Sequence, residues 1–145
     1  MIRALLLTTT LASPAIADEI WVSNELDNTV SVIDADSFEV LQTYETGQRP
    51  RGVTFSRDFS VLYICASDSD TVQVMDPNTG KILHELPSGE DPEQFVVSPD
   101  DRFLYIANED DAITTVVDTQ TRKVASQIAV GIEPDFRFIQ NVALR

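Results

Sequence analysis

The 145-residue chain has one cysteine, one histidine and one tryptophan. A lone Cys65 excludes an internal disulfide, and Cys65 with His84 is too small a set for a Cys/His zinc site or a c-type haem attachment. Positive charge is scarce: 10 Lys and Arg stand against 24 Asp and Glu, giving a formal net charge of −14 and a pI near 4.1. Nucleic acid and anionic membrane surfaces are therefore poor partners, whereas a cationic partner or a metal ion stays open. No segment is apolar for long enough to span a membrane. No nucleophile elbow, HExxH, glycine-rich phosphate loop or CxxCH is present, so no catalytic residue is assigned. What is there is 43% hydrophobic, with 5 Gly and 7 Pro, which suits one small folded domain.

The first seventeen residues read as an export signal. Arg3 carries the only charge before Asp18, Ala4 to Leu11 is apolar or Thr, and Ala15-Ile16-Ala17 has the small-x-small form that signal peptidase cleaves. Cleavage is expected after Ala17, which predicts a periplasmic product.

The rest is organised by a repeat. Residues 19–60, 61–102 and 103–144 align without gaps at a period of 42. Trp21, Tyr63 and Tyr105 share a column, as do Val32, Val74 and Val116; Asp34, Asp76 and Asp118; Gly47, Gly89 and Gly131; and Pro50, Pro92 and Pro134. Within a unit the apolar period is two, which predicts strands at 53–56, 61–66, 71–75 and 82–86 in the clearest unit. Turn chemistry separates them, with Ser98-Pro99-Asp100-Asp101 as a type I turn and Asp76-Pro77-Asn78-Thr79-Gly80 as a hairpin. Four strands in about 42 residues is the size of a propeller blade. The predicted fold is all-β, a propeller of four-stranded antiparallel blades.

Val61-Leu-Tyr-Ile-Cys-Ala66, Phe103-Leu-Tyr-Ile-Ala-Asn108, Thr29 to Asp34 (TVSVID) and Ser98-Pro-Asp-Asp101 resemble the signature strands and turn of YVTN-repeat β-propellers. The run from Ile20 to Pro134 is similar to the propeller proteins associated with catabolism by enzymes that depend on pyrroloquinoline quinone (PQQ). That resemblance implies a periplasmic seven-bladed propeller found beside quinoprotein alcohol dehydrogenases. PQQ enters through those partner enzymes only. The chain departs from the pattern by holding three repeats, and by losing the blade signature over residues 136–145. A closed ring needs at least four blades, so truncation by frameshift, premature stop or misread gene is expected. Its first unit starts at a second strand, so residues 19–46 supply three strands and 50–130 two full blades. Open strand edges predict self-association.

In a propeller the loops between second and third strands share one end with the loops between blades. That end collects Glu25, Asp27, Asp68, Asp70, Glu90, Asp91, Glu93, Glu109, Asp110, Asp111, Glu133 and Asp135 against Arg49 and Arg51. The opposite end is far less acidic, so the charge is polarised. Arg49, Arg51, Asp68, Asp70, Glu90, Asp91, Glu93, Glu109, Asp110 and Asp111 are the candidate residues for binding a ligand or partner. A basic cytochrome or a periplasmic quinoprotein dehydrogenase fits such a field. The bland reading is that the loops are merely solvated, with Arg49 and Arg51 as local partners of nearby acids. Glu109-Asp110-Asp111 and Asp68-Ser69-Asp70 lack the glycine and distant Glu of an EF-hand loop, so no metal site is assigned.

Cys65 aligns with Ser23 and Ala107 and reads as close packing; His84 falls on an outer strand; Asp34, Asp76 and Asp118 are expected to accept backbone N–H bonds in turns. The resulting expectation is an exported, non-catalytic interaction or scaffold protein of quinoprotein alcohol oxidation. The alternatives are a lactonase or haem-d1 type of propeller enzyme, with a metal or haem at the channel mouth, and a truncated fragment without activity.

Overall fold

The computed structural model describes residues 18–135. The signal-like segment and the out-of-pattern tail lie outside the described residues. Eleven strands form three antiparallel meanders. The first holds β1 (Glu19–Asn24), β2 (Thr29–Asp34) and β3 (Val40–Glu45). The second holds β4 (Pro50–Phe55), β5 (Leu62–Ala66), β6 (Thr71–Asp76) and β7 (Lys81–Pro87). The third holds β8 (Pro92–Val97), β9 (Phe103–Asn108), β10 (Ile113–Asp118) and β11 (Lys123–Ala129).

The sequence columns become register. Trp21 faces Val32, Tyr63 faces Val74 and Tyr105 faces Val116, so β1 stands where β5 and β9 stand in the complete sheets. The same irregularity recurs after each valine, at Val32/Ile33, Val74/Met75 and Val116/Val117. Such a bulge bends the outer strand and sharpens its twist. One expectation shifts: the innermost strand begins at Pro50 rather than at residue 53. A bulge between Pro50 and Val53 lets pairing reach back to a proline whose missing N–H costs nothing at a strand start. A short 3-10 turn at Ser67–Ser69, which the sequence pattern does not announce, bridges β5 and β6.

Apolar faces stack the sheets. Val30 of the first sheet meets Leu62, Ile64 and Met75 of the second, with Trp21, Tyr44, Val53 and Phe55 around them. On the other side Tyr63, Cys65, Val72, Val74 and Leu86 meet Phe95, Leu104, Ile106 and Val117 of the third sheet. The middle sheet is thus covered twice, which is why all five residues of β5 are buried and its sequence is a continuous apolar run. Each such Leu, Ile or Phe contributes roughly 1.5–3 kcal/mol by leaving water. Cys65 sits in this layer, and burial pushes its thiol well up, so it is a packing residue. Innermost strands β4 and β8 come close enough that a Cβ on Gly52 would lie 2.8 Å from the Glu93 carbonyl oxygen. The outer strands β3 and β11 are largely exposed, and Ile20, Val22 and Val40 stand exposed on the first sheet.

The hairpins at one end are built alike. Asp34 Oδ1 accepts from the Asp36 and Ser37 amides, Asp76 Oδ1 from Asn78, and Asp118 Oδ1 from Gln120 and Thr121. These bonds, with the Thr79 hydroxyl donating to Asp76 Oδ2 as the largest contributor there, hold all three carboxylates below their ordinary range. Each turn closes at a left-handed residue: Phe38 (φ 60°), Gly80 (φ 68°) and Arg122 (φ 58°). Only the middle one is the residue that this conformation favours. Gly80 has a second constraint, because a Cβ there would run into the Tyr44 ring of the neighbouring sheet. Phe38 is exposed and bears the left-handed cost of about 1–2 kcal/mol. Phe38→Gly is therefore expected to raise stability by about 1 kcal/mol, and Gly80→Ala to lower it by about 1–3 kcal/mol, both read by chemical denaturation.

Candidate functional site: an acidic cluster clamped by two arginines

The β1–β2, β5–β6 and β9–β10 loops share one end of the stack with the β3–β4 and β7–β8 connections. Backbone and side chain stitch them together in a repeated way. The Arg49 amide donates to Asn28 Oδ1 at 2.8 Å, and the Asp91 amide donates to Asp70 Oδ1 at 3.1 Å. All four residues are left-handed, a conformation that Asn and Asp tolerate. Asp70 is thereby occupied in holding the loop that carries Asp91. In the third sheet the corresponding residue is Ala112, which has no side-chain acceptor.

These loops deliver Arg49, and the inner strand delivers Arg51, into a ring of carboxylates. Arg49 Nε lies 2.9 Å from Glu25 Oε1, and its Nη1 reaches Asp68 at 3.5 Å and Asp91 at 3.4 Å. Arg51 Nη1 approaches Glu25 at 3.4 Å, while its Nη2 closes directly on Glu93 Oε2. The bonding to Arg49 lowers the Glu25 carboxyl and raises the guanidinium in turn. Glu93 behaves in the opposite way despite its arginine. Burial first, and then the Glu109 carboxyl beside it, push it up to about 7. Burial likewise raises Asp91, against the pull of Arg49. Asp91, Glu93 and Glu109 each place an oxygen within 4.8 Å of the others. A cavity of about 300 Å3 opens beside them, lined by Arg51, Glu93, Gln94, Glu109, Glu133 and Asp135.

Of the residues expected here, Arg49, Arg51, Asp68, Asp91, Glu93 and Glu109 converge. Glu90, Asp110 and Asp111 stay exposed on the rim. Glu25, Glu133 and Asp135 are counted at this end but missing from the sequence-derived candidate set; for Glu25, its equivalence to Glu109 across two periods was the available signal. The arginines do serve as local partners of acids, and among the described residues the cluster nevertheless retains more carboxylates than guanidinium groups. His84 is half-buried on β7, with its pKa lowered by burial and then by Arg122. Larger cavities of about 500 and 840 Å3 flank Trp21, Phe55 and Phe59 nearer the opposite end, where aromatic rings pack on one another.

Antiparallel four-stranded sheets stacked face to face, with adjacent innermost strands and a 42-residue period, define a β-propeller arc. Residues 2–143 match the YNCE-like β-propeller family, and the chain belongs to it. Among solved structures it is similar to Kuenenia stuttgartiensis hydrazine synthase, at 24% identity and a TM-score of 0.71, covering 79% of this chain and 33% of that one. It is also similar to the dihydro-heme d1 dehydrogenase NirN in complex with DHE, at 21% identity and a TM-score of 0.64, covering 85% of this chain and 26% of that one. The chain thus spans about a third or less of either neighbour, and at these identities the likeness is one of fold. No curated protein matches it.

Removing Arg51 strands the buried Glu93 carboxylate. Arg51→Met is expected to cost about 3 kcal/mol in weakly alkaline buffer. The cost shrinks below the Glu93 pKa, where that carboxyl holds a proton and needs no counter-ion. Glu93→Gln in the same chain should restore most of the loss, and denaturation across pH as a double-mutant cycle measures both effects.

Proposed function

We propose that this propeller is an exported, non-catalytic interaction module that docks a cationic partner of a quinoprotein alcohol-oxidation system on its acidic end. The observation that carries the reading is the segregation of carboxylates. Among the described residues the cluster has more acids than Arg49 and Arg51 balance, and Glu90, Asp110 and Asp111 extend that field on an exposed rim. A low-dielectric mouth lined by one sign of charge focuses its field outward and speeds encounter with a basic partner. The partner class favoured is a basic cytochrome, or a quinoprotein dehydrogenase with a basic surface. The PQQ connection rests on the repeat-level resemblance over Ile20 to Pro134 and brings no PQQ site to this chain.

Export rests on the Arg3-to-Ala17 pattern. Mass spectrometry of the protein from a periplasmic fraction is expected to find Asp18 at its N-terminus; a cytoplasmic chain beginning at Met1 contradicts it.

Docking is tested by surface plasmon resonance with a basic c-type cytochrome as probe. The association rate should fall by about tenfold or more between low and physiological salt. Glu90→Lys with Asp110→Lys should slow association at least severalfold while leaving the fold intact. A salt-independent signal, or none, overturns the reading. An intrinsic haem absorption band on the purified chain also overturns it, in favour of a propeller enzyme.

A further inference from the structure

We propose that the aromatic cleft between the first and second sheets, nearer the end opposite the acidic loops, binds a small organic cation of the quaternary-ammonium class. The cleft is a cavity of about 840 Å3 whose wall includes Trp21, Tyr44, Phe55, Phe59 and Glu19, and a neighbouring cavity of about 500 Å3 shares all of these but Tyr44. The rings form a continuous series. Tyr44 stacks on Trp21 with centroids 5.9 Å apart, Phe55 meets Trp21 edge-on at 5.5 Å, and Phe59 leans on Phe55 at 5.5 Å. None of the four side chains is fully buried, so the series is open to a ligand.

The repeat shows that packing alone does not call for these residues. One period on, Val61, Leu86 and Val97 stand in place of Glu19, Tyr44 and Phe55, and they join Tyr63 in the hydrophobic layer between the second and third sheets. The first junction thus carries rings and a carboxyl group where the second closes with aliphatic side chains. Phe59 is the sharper case. It holds the place of Asp101, in a turn whose backbone is left-handed at both positions (φ 58° and 56°). Asp tolerates that region, whereas a bulky side chain is strained in it. Phe59 is also 69% exposed, and among the described residues its only ring partner is Phe55. Strained residues of this kind collect at ligand-binding sites. Phe38 is strained and exposed as well, but it lines neither cavity.

The lining selects the charge of the ligand. Ring faces carry negative potential and attract a cation, Trp most strongly. A charge spread over methyl groups suits them best, because a primary ammonium is strongly hydrated and gives up its water at greater cost. Glu19 adds a formal charge of the right sign: its Oε2 accepts from Trp21 Nε1 at 3.1 Å, which holds the carboxyl group against the edge of the indole. No Lys, Arg or His among the described residues lines the larger cavity. Arg57 borders the smaller one, and its Nε is turned to the Ser98 carbonyl at 3.4 Å.

The site does not depend on the docking reading, which uses the acidic end. Trp21 is the single tryptophan, so its fluorescence reports on the cleft directly. The test is titration of the purified full chain with choline chloride, with the neutral carbon isostere 3,3-dimethyl-1-butanol and with ethanolamine as comparisons. A saturable change in Trp21 emission is expected, with choline bound at least about tenfold more tightly than either comparison. Phe59→Gly suits the left-handed turn, so it should weaken choline about threefold or more while the thermal midpoint holds or rises. Glu19→Gln should weaken choline about threefold, with far-UV circular dichroism unchanged. Phe38→Gly relieves the same strain outside the cleft and should leave affinity within about twofold. No saturable change, equal binding of the neutral isostere, which marks a merely apolar pocket, or equal weakening by Phe38→Gly overturns the site and leaves cytochrome docking untouched.

Discussion

Burial of the middle sheet on both faces is the constraint from which the rest of the arrangement follows. Leu62, Ile64 and Met75 look one way, and Tyr63, Cys65, Val72 and Val74 look the other. A sheet that is apolar on both sides has to be sandwiched, and its neighbours carry the matching faces because they are copies of it one period away. Stacking then brings the innermost strands together and puts equivalent loops side by side at each end. Gly52 marks how tight that approach is. The acidic cluster is a consequence, since no single sheet contains it.

Electrostatics at that end works against the packing. Hydrophobic layers force Glu93 and Asp91 out of water, and the chain answers with Arg49 and Arg51 drawn from the preceding sheet. Each arginine bridges loops of different sheets, so the clamp acts across the junction and not within a hairpin. One period on, Asp91 and Glu93 stand where Arg49 and Arg51 stand, so the acids of one junction meet the arginines of the junction before it.

Much of the fold was legible in the sequence. The period, the three-stranded first sheet, the turn role of Asp34, Asp76 and Asp118, and the buried Cys65 all follow from columns that a local rule can interpret. The family resemblance was legible in the same strands, and the chain belongs to a β-propeller family. The site was less so. Twelve acids at one end could be counted, but which of them meet depends on how far neighbouring sheets are rotated and how deep each loop dips. That is a property of stacking, and no stretch of sequence encodes it alone. The early start of β4 at Pro50 was hidden by a bulge, and the left-handed Phe38 and Arg122 by side chains that ordinarily avoid that region.

The account's central claim is that the second sheet is the doubly covered middle of a propeller arc. Amide hydrogen exchange of the purified chain tests it most directly, because protection tracks the opening of each element. The strands β5 and β6 should exchange slowest, β9 and β10 next, and the exposed strands β3 and β11 fastest. Uniform exchange along the chain, or slowest exchange in the first sheet, would contradict the stacked arrangement.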